Sequence, residues 1–176
     1  DQKETGRKLI YGENTWNEAK AWVSDGNSFA LMGDGTNAFI YKFYVNNLEA
    51  KNCYRISSSV ATDVLSADFY AFSSTRSVLF YVKNNTLYAY NYDIGNERVD
   101  MIPLETTDEI TMLKFDLTME PMKDALYIAT YSAIEGGSLR KYYVGNNPDK
   151  VELKSDPKAV WKGLTKVKNM SWRALL

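Results

Sequence analysis

The sequence predicts an all-β chain, and three observations carry that prediction. Short runs rich in Val, Ile, Phe and Tyr alternate with Gly-, Asn- and Asp-rich turns over most of the 176 residues. The stretch "LFYVKNNTLYAYNYD" from Leu79 to Asp93 reads as a strand, a tight turn and a second strand with two apolar faces. Leu79 and Tyr81 point one way and Phe80 and Val82 the other, while Tyr88, Tyr90 and Tyr92 have Leu87 and Ala89 behind them. A surface hairpin keeps one face polar, so something must cover both sides here. Finally, the pattern recurs: "LYAY" at Leu87 aligns with "IYKF" at Ile40, 47 residues earlier, and with "LRKY" at Leu139, 52 residues later.

The elements follow in order from that repeat. A first strand-like run precedes each copy: "SFALM" from Ser28, "SVLFYV" from Ser77 and "DALYIATY" from Asp124. A more polar third run follows: "NCYRIS" from Asn52, "RVDMI" from Arg98 and "KVELK" from Lys150. A fourth ends on an aromatic, in "DFYAF" at Phe72, "TMLKF" at Phe115 and "NMSW" at Trp172. The first connections, "GDGTN", "KNN" and "IEGG", are turn-forming residues. The next ones, "VNNLEAK", "DIGNE" and "VGNNPDK", carry recurring asparagines, and Pro148 falls where no ladder N–H is needed.

Four strands recurring every 40–50 residues are the mark of a β-propeller blade, whose inner strands are buried on both faces by the neighbouring blades. The expected architecture is therefore a partial propeller of three four-stranded antiparallel β-propeller-type blades, at about 28–73, 77–117 and 124–174. These form one domain over residues 28–176. The alternative is a β-sandwich, in which each strand should show one polar face. Residues 1–27 form an N-terminal segment, with "KLIYG" as the last strand of a preceding blade or the segment as a cap. Thr15 and Glu18 in "TWNEAKAW" have capping-box spacing and predict one short helical turn, with Trp16 and Trp22 covering the first blade.

Composition narrows the chemistry. Twenty-one basic and twenty-two acidic residues leave a net charge of −1, which gives no general field for nucleic acid. The cluster Lys162, Lys166, Lys168 and Arg173 reads as a solvated strand face. No apolar run reaches 18 residues, so no transmembrane segment is expected in this chain. The absence of histidine removes His-based catalysis and His metal ligands. The single cysteine, Cys53, excludes an intramolecular disulfide and thiolate zinc sites and reads as a half-buried structural thiol. Neither a P-loop nor a dinucleotide glycine pattern is present. No cofactor and no metal site is expected.

Carboxylates are the acid–base groups that remain: Asp34, Asp63, Asp68, Asp93, Asp100, Asp108, Asp116 and Asp149. A glycosidase needs two of them across one cleft, and a single sequence does not place such a pair. Asp34 lacks the alternating carboxylates of a calcium loop and reads as a turn residue. No catalytic residue is assigned. Candidate ligand-binding residues on the rim of the blades are Asn46, Asn47, Asp93, Asn96, Asn146 and Asn147. Tyr131 and Trp161 join them as candidate stacking residues. For the asparagines the plain alternative is tolerance of left-handed turn conformations. For the aromatics it is core packing.

The stretches "NSFALMGDGTNAFIYKFYV", "LFYVKNNTLYAYNYD" and "VWKGLTKVKNMSWR" resemble the C-terminal repeats of PKD-like family lipoproteins of gut Bacteroidetes. The resemblance covers nearly the whole chain and rests on strand and turn texture. It implies a lipid-anchored, modular parent with immunoglobulin-like domains and propeller-like repeats, located in the cell envelope (outer-membrane surface or periplasm), near glycan uptake. The opening "DQKETGRK", without Met, fits a piece of a longer chain.

The expected function is a non-catalytic binding or interaction module of a bacterial cell-envelope protein, recognising glycan or an envelope protein. The alternatives are a carboxylate-dependent glycan-active enzyme and a purely structural spacer. Three blades do not close a ring, so the end faces are expected to be apolar, with Phe39, Tyr41 and Phe43 at one end and Tyr127, Leu139 and Tyr142 at the other. Such faces predict a homodimer, docking to missing blades, or a cap formed by the N-terminal segment.

Overall fold

The computed structural model describes residues 16–24, 27–44, 53–73, 76–116 and 125–170. They form twelve strands in three four-stranded antiparallel sheets. Sheet 1 contains β1 (Glu18–Ser24), β2 (Asn27–Gly33), β3 (Ala38–Tyr44) and β4 (Cys53–Arg55). A one-turn helix, α1 (Thr62–Leu65), leads to sheet 2. That sheet contains β5 (Phe69–Phe72), β6 (Val78–Lys83), β7 (Thr86–Asn91) and β8 (Arg98–Ile102). Sheet 3 contains β9 (Glu109–Phe115), β10 (Ala125–Ser132), β11 (Gly136–Val144) and β12 (Leu153–Leu164). Each sheet is an open meander in which consecutive strands are neighbours. The chain divides into two compact units at the Ala61–Thr62 boundary, with sheet 1 in the first unit and sheets 2 and 3 in the second.

The strands fall where the repeat put them except at "NMSW", where Asn169 and Met170 lie in the non-strand segment after β12 and Trp172 lies outside the described residues, and the grouping is shifted by one. The fourth run of each repeat pairs forward: "DFYAF" becomes β5 of sheet 2 and "TMLKF" becomes β9 of sheet 3. Pairing is decided by register. Tyr70 lies opposite Tyr81 and Phe72 opposite Leu79, so apolar side chains meet on both faces of β5–β6. The first strand of sheet 1 is β1, which occupies the segment read as a helical turn. Glu18 opens that strand, because backbone pairing of Ala19 with Met32 and Ala21 with Leu31 replaces intrahelical bonding. Thr15, "KLIYG", Trp172 and Arg173 lie outside the described residues, as do the side chains of Trp22 and Cys53.

In the first unit, cross-strand register sorts sheet 1 into two faces. Ala30 opposite Tyr41 and Met32 opposite Phe39 define one face, which continues to Phe43 and, opposite Tyr41 on β4, to Arg55. Leu31 opposite Ile40 defines the other, where both are fully buried. The ladder runs on past β4, since Ile56 N donates to Ile40 O and Val60 N to Ala38 O. The Ser57 hydroxyl accepts a bond from Ile40 N at 2.7 Å.

In the second unit, sheets 2 and 3 pack face to face. Val78, Phe80, Val82, Leu87, Ala89 and Ile102 meet Ile110, Leu113, Phe115, Leu126, Ile128 and Tyr142 in one core. Phe80 stacks on Phe115 with ring centroids 6.3 Å apart. The first strands of the two sheets, β5 and β9, lie beside each other. The opposite face of sheet 2 is also buried, with Leu79, Tyr81, Tyr90 and Tyr92 on it. The hairpin at Leu79–Asp93 is therefore covered on both sides, as its lost alternation required.

Its turn is a two-residue loop with both residues left-handed, Asn84 at φ 50° and Asn85 at φ 57°. Asparagine is the non-glycine residue that best tolerates this geometry, and the twist of such a turn matches that of the strands. Asn85 also reaches the entry of sheet 3. Its Oδ1 accepts from Ile110 N at 2.7 Å, and its Nδ2 donates to Thr107 O at 3.3 Å and Asp108 O at 3.2 Å.

The far face of sheet 3 carries Met112, Tyr127 and Ala129, over which Val167 and Met170 of the segment after β12 pack. Lys114 Nζ donates to Asn169 Oδ1 and Met170 O, and Lys166 pairs with Glu109 at 3.0 Å. The expectation of a bare end face at Tyr127 and Leu139 is corrected accordingly: this segment lies on it. Tyr142 is corrected too. It sits on the core face between the sheets, because it is three residues from Leu139 and has opposite strand parity. β12 is irregular. Tyr142 pairs with Ser155 and Arg140 with Val160, leaving Asp156–Ala159 as a bulge that holds Pro157 without loss of a ladder N–H.

Gly137 lies beneath the chain leaving β12. A Cβ there would overlap the Thr165 carbonyl, which is backbone and cannot rotate away. Gly137→Ala is expected to cost about 1–3 kcal/mol, the usual range for forcing atoms into a packed site. Chemical denaturation measures it, and an unchanged midpoint would contradict this packing.

Burial also sets the alkaline behaviour. Desolvation pushes the Tyr81 hydroxyl up to about 12 and raises those of Tyr92 and Tyr142, the last aided by its 2.8 Å bond to Glu105. The folded values lie above the unfolded value of about 10, so this stability is fully present below that pH. It is lost as pH rises from about 10 through 12. Phenolate absorbance should therefore show a late step coincident with unfolding. Titration of all thirteen tyrosines in one smooth phase near pH 10 would contradict it.

Candidate ligand-binding site

Clefts among the described residues bring polar groups together, and three of the residues expected to bind ligand gather at one of them. This cleft of ≈ 380 Å³ lies in the second unit, lined by Arg76, Asp93, Arg98, Asn146, Asn147 and Lys150 among others. Three of the candidates, Asp93, Asn146 and Asn147, therefore share a rim. Their side chains are engaged in local structure. Asn96 Nδ2 donates to Asp93 Oδ2 at 3.0 Å, and Asn147 Oδ1 accepts from Asp149 N at 2.9 Å. Asn146 Oδ1 accepts from the Arg76 guanidinium at 2.8 Å, which also donates to Gly145 O at 2.5 Å. Among the described residues the left-handed asparagines are Asn84 and Asn85, so Asn96, Asn146 and Asn147 shape their loops through side-chain bonds.

Tyr131 and Trp161 lie toward the opposite end of sheet 3. Tyr131 pairs with Gly137 beside the β10–β11 turn and carries Lys166 Nζ 5.3 Å above its ring. Trp161, opposite Leu139 on the edge strand β12, is 46% exposed. Neither meets the asparagine loops. Asn46 and Asn47 lie outside the described residues. A second cleft of ≈ 450 Å³ runs between β8 and the start of β12, lined by Met101, Pro103, Val151, Glu152 and Leu153 among others.

The third cleft lies in the first unit and has a different character. Its ≈ 280 Å³ are walled by Trp16, Met32, Phe39 and Tyr41, with Asp34, Asn37 and Arg55 at its polar margin. The fold assembles it in four steps. Asn17 N bonds to Gly33 O at 3.0 Å, which fixes Trp16 next to the start of the β1–β2 ladder. Trp16 then turns onto the sheet, edge-on to Tyr41 at 4.6 Å and to Phe43 at 6.1 Å. Strand alternation places Phe39 and Tyr41 on that same face. Direct pairing of Arg55 with Tyr41 brings the guanidinium over the Phe39 ring, 4.7 Å from its centroid. The end face expected to be bare at Tyr41 and Phe43 is thus covered by Trp16, and Tyr41 and Phe43 are buried.

Asp34 serves the β2–β3 turn and the cleft at once. Its Oδ1 accepts from Asn37 N at 2.7 Å and Thr36 N at 2.9 Å. These bonds, that of Asn37 first, hold its carboxyl below the ordinary value, so the group is ionised at neutral pH. The turn role read from "GDGTN" is thus present in the structure, with a cleft position added. Arg55, Asn37 and Phe39 were not singled out for binding in the sequence. The signal that gathers them is the register of β4, a three-residue strand too short to be aligned by pattern alone.

Among the described residues, the clefts above are lined by one carboxylate each: Asp34, Asp93 or Glu152. Asp100, another candidate, holds Arg98 Nε and Val151 N, both at 2.9 Å. Asp63 pairs with Lys83 at 3.2 Å. No protein-family model matches this sequence, and no curated protein matches it either. Fold and site together define a class: an all-β chain of repeated four-stranded meander sheets with an aromatic-walled surface cleft.

Proposed function

We propose that this protein is a non-catalytic carbohydrate-binding module, built from propeller-type blades, of a bacterial cell-envelope protein. The observation that carries the reading is the cleft on sheet 1. A pyranose ring has an apolar C–H face and a rim of hydroxyls. Trp16, Phe39 and Tyr41 offer aromatic surface for the first, and Asp34, Asn37 and Arg55 offer acceptors and donors for the second. A purely structural spacer has no use for an open cleft of this composition. An enzyme acting through a carboxylate pair needs two such groups across one cleft, and among the described residues this cleft is lined by Asp34 alone.

Support for blades over a sandwich comes from burial. In a two-sheet sandwich the outer faces meet water. Sheet 2 buries Phe80 and Val82 on one face and Leu79 and Tyr81 on the other, as a blade between neighbours does. The adjacency of the first strands β5 and β9, with a cleft between β8 and β12 at the outer edge, fits sheets that fan out from their first strands. The envelope location rests on the resemblance of the repeats to PKD-like lipoproteins.

A glycan array followed by calorimetry on the hits tests the function. A stacked ring contributes on the order of 1–2 kcal/mol, so Trp16→Ala should weaken a hit about tenfold or more. Hits that Trp16→Ala leaves unchanged would place binding elsewhere. An array without hits would remove the reading.

A further inference from the structure

We infer that the cleft on sheet 1 selects a carboxylated sugar, with the Arg55 guanidinium as the group that receives the carboxylate; this rests on the carbohydrate-binding reading above. Arg55 is held over Phe39 by the ring's face, 4.7 Å from the centroid. That contact places the guanidinium carbon over the ring and takes up none of its N–H donors in a hydrogen bond. Among the described residues, no carboxylate or carbonyl takes them in a hydrogen bond or ion pair. The contrast with the other arginines among the described residues is specific. Arg76 is spent on Gly145 and Asn146, Arg98 on Asp100, and Arg140 on Glu105. Arg76 and Arg140 fasten one segment to another and Arg98 pairs within its own strand, whereas Arg55 is exposed at the mouth of an aromatic cleft.

A guanidinium held in place over an aromatic ring, with its donors unspent, suits a two-pronged bond to a planar carboxylate. Asp34, the other charged residue lining the cleft, completes the selection. It is ionised at neutral pH, so it accepts from sugar hydroxyls. It also repels a ligand carboxylate placed at its own end of the cleft. One positive donor and one negative acceptor on the same aromatic wall thus orient a ring bearing one carboxylate and several hydroxyls. A neutral sugar satisfies Asp34 and leaves Arg55 with water.

Calorimetry on the full chain tests this with two ligand pairs. One is an oligogalacturonate and its methyl ester, which keeps the ring and removes the charge. The other is sialyllactose and lactose, which separates a sialic acid from a hexuronic acid as the source of the carboxylate. The acid member of at least one pair should bind about tenfold or more tightly than its neutral partner, as expected for a charge-assisted two-pronged bond. Raising salt from about 0.05 to about 0.5 M should narrow that gap. Arg55→Gln should reduce the acid's affinity to that of the neutral partner, and Arg55→Lys should recover only part of it. The exposed position of Arg55 keeps these variants folded, and the ester arm needs no variant. Equal binding of acid and neutral partners, with Arg55→Gln silent and Trp16→Ala damaging, would overturn the inference and leave the carbohydrate reading in place. Absence of binding by every sugar would overturn both.

Discussion

Replacing Phe80 with alanine is expected to destabilise the second unit by about 3–5 kcal/mol, the range for removing a buried aromatic ring. Phe80 is fully buried and stacks on Phe115 across the junction of sheets 2 and 3, so the variant opens a cavity between two sheets. Val78 and Val82 on the same strand also reach this core. Because sheets 2 and 3 share one core, they should lose structure in one transition. Denaturant unfolding followed by far-UV circular dichroism measures the loss. Hydrogen exchange should show β6 and β10 amides weakened together. A cost below about 1 kcal/mol, or exchange confined to sheet 2, would contradict the shared core.

The second large effect belongs to Asn85. Alanine there loses two things. Alanine in the left-handed region costs about 1–2 kcal/mol relative to a residue that tolerates it. The amide of Ile110, at a buried position, loses the side-chain acceptor 2.7 Å away, and an unsatisfied buried donor costs about 1–3 kcal/mol. The expected total for Asn85→Ala is about 2–5 kcal/mol. Asn85→Gly separates the parts, since glycine accepts the backbone geometry without the side-chain bonds. It should recover about 1 kcal/mol of the loss. If both variants melt with the wild type, Asn85 does not hold the entry to sheet 3.

What the sequence revealed and what it concealed divide along physical lines. Burial on both faces of Leu79–Asp93 was legible because lost alternation has one cause, cover on two sides. The repeat located eleven of the strands, since turn residues and apolar runs are local signals. Grouping into sheets was not local. "DFYAF" is adjacent in sequence to both α1 and β6, and only register with Leu79 and Tyr81 assigns it to sheet 2. β1 was hidden because Thr15 and Glu18 have helix-cap spacing while the pairing partner that makes a strand lies across the next turn. The placement of Tyr142 was readable: its parity differs from that of Leu139, and strand alternation alone puts them on opposite faces.

The candidate site was less legible. The recurring asparagines mark loops, and three candidates do share a rim, but side-chain bonds to their own turns account for them. The aromatic cleft depends on Trp16 folding across two strands and on Arg55 lying opposite Tyr41. Both are contacts between residues far apart in sequence, in which no short motif takes part. Phe39, Tyr41 and Phe43 were recognised as a shared face, and the structure shows that face half-covered by a tryptophan with a cleft at its margin.

The central claim is that ligand binds at the sheet 1 cleft, and a nuclear magnetic resonance titration with the best glycan hit tests it most directly. The Trp16 indole N–H and the amides of Met32, Asn37, Phe39 and Arg55 should shift together and saturate with one dissociation constant. Shifts centred on Arg76, Asp93 and Asn146, with Trp16 unmoved, would contradict it.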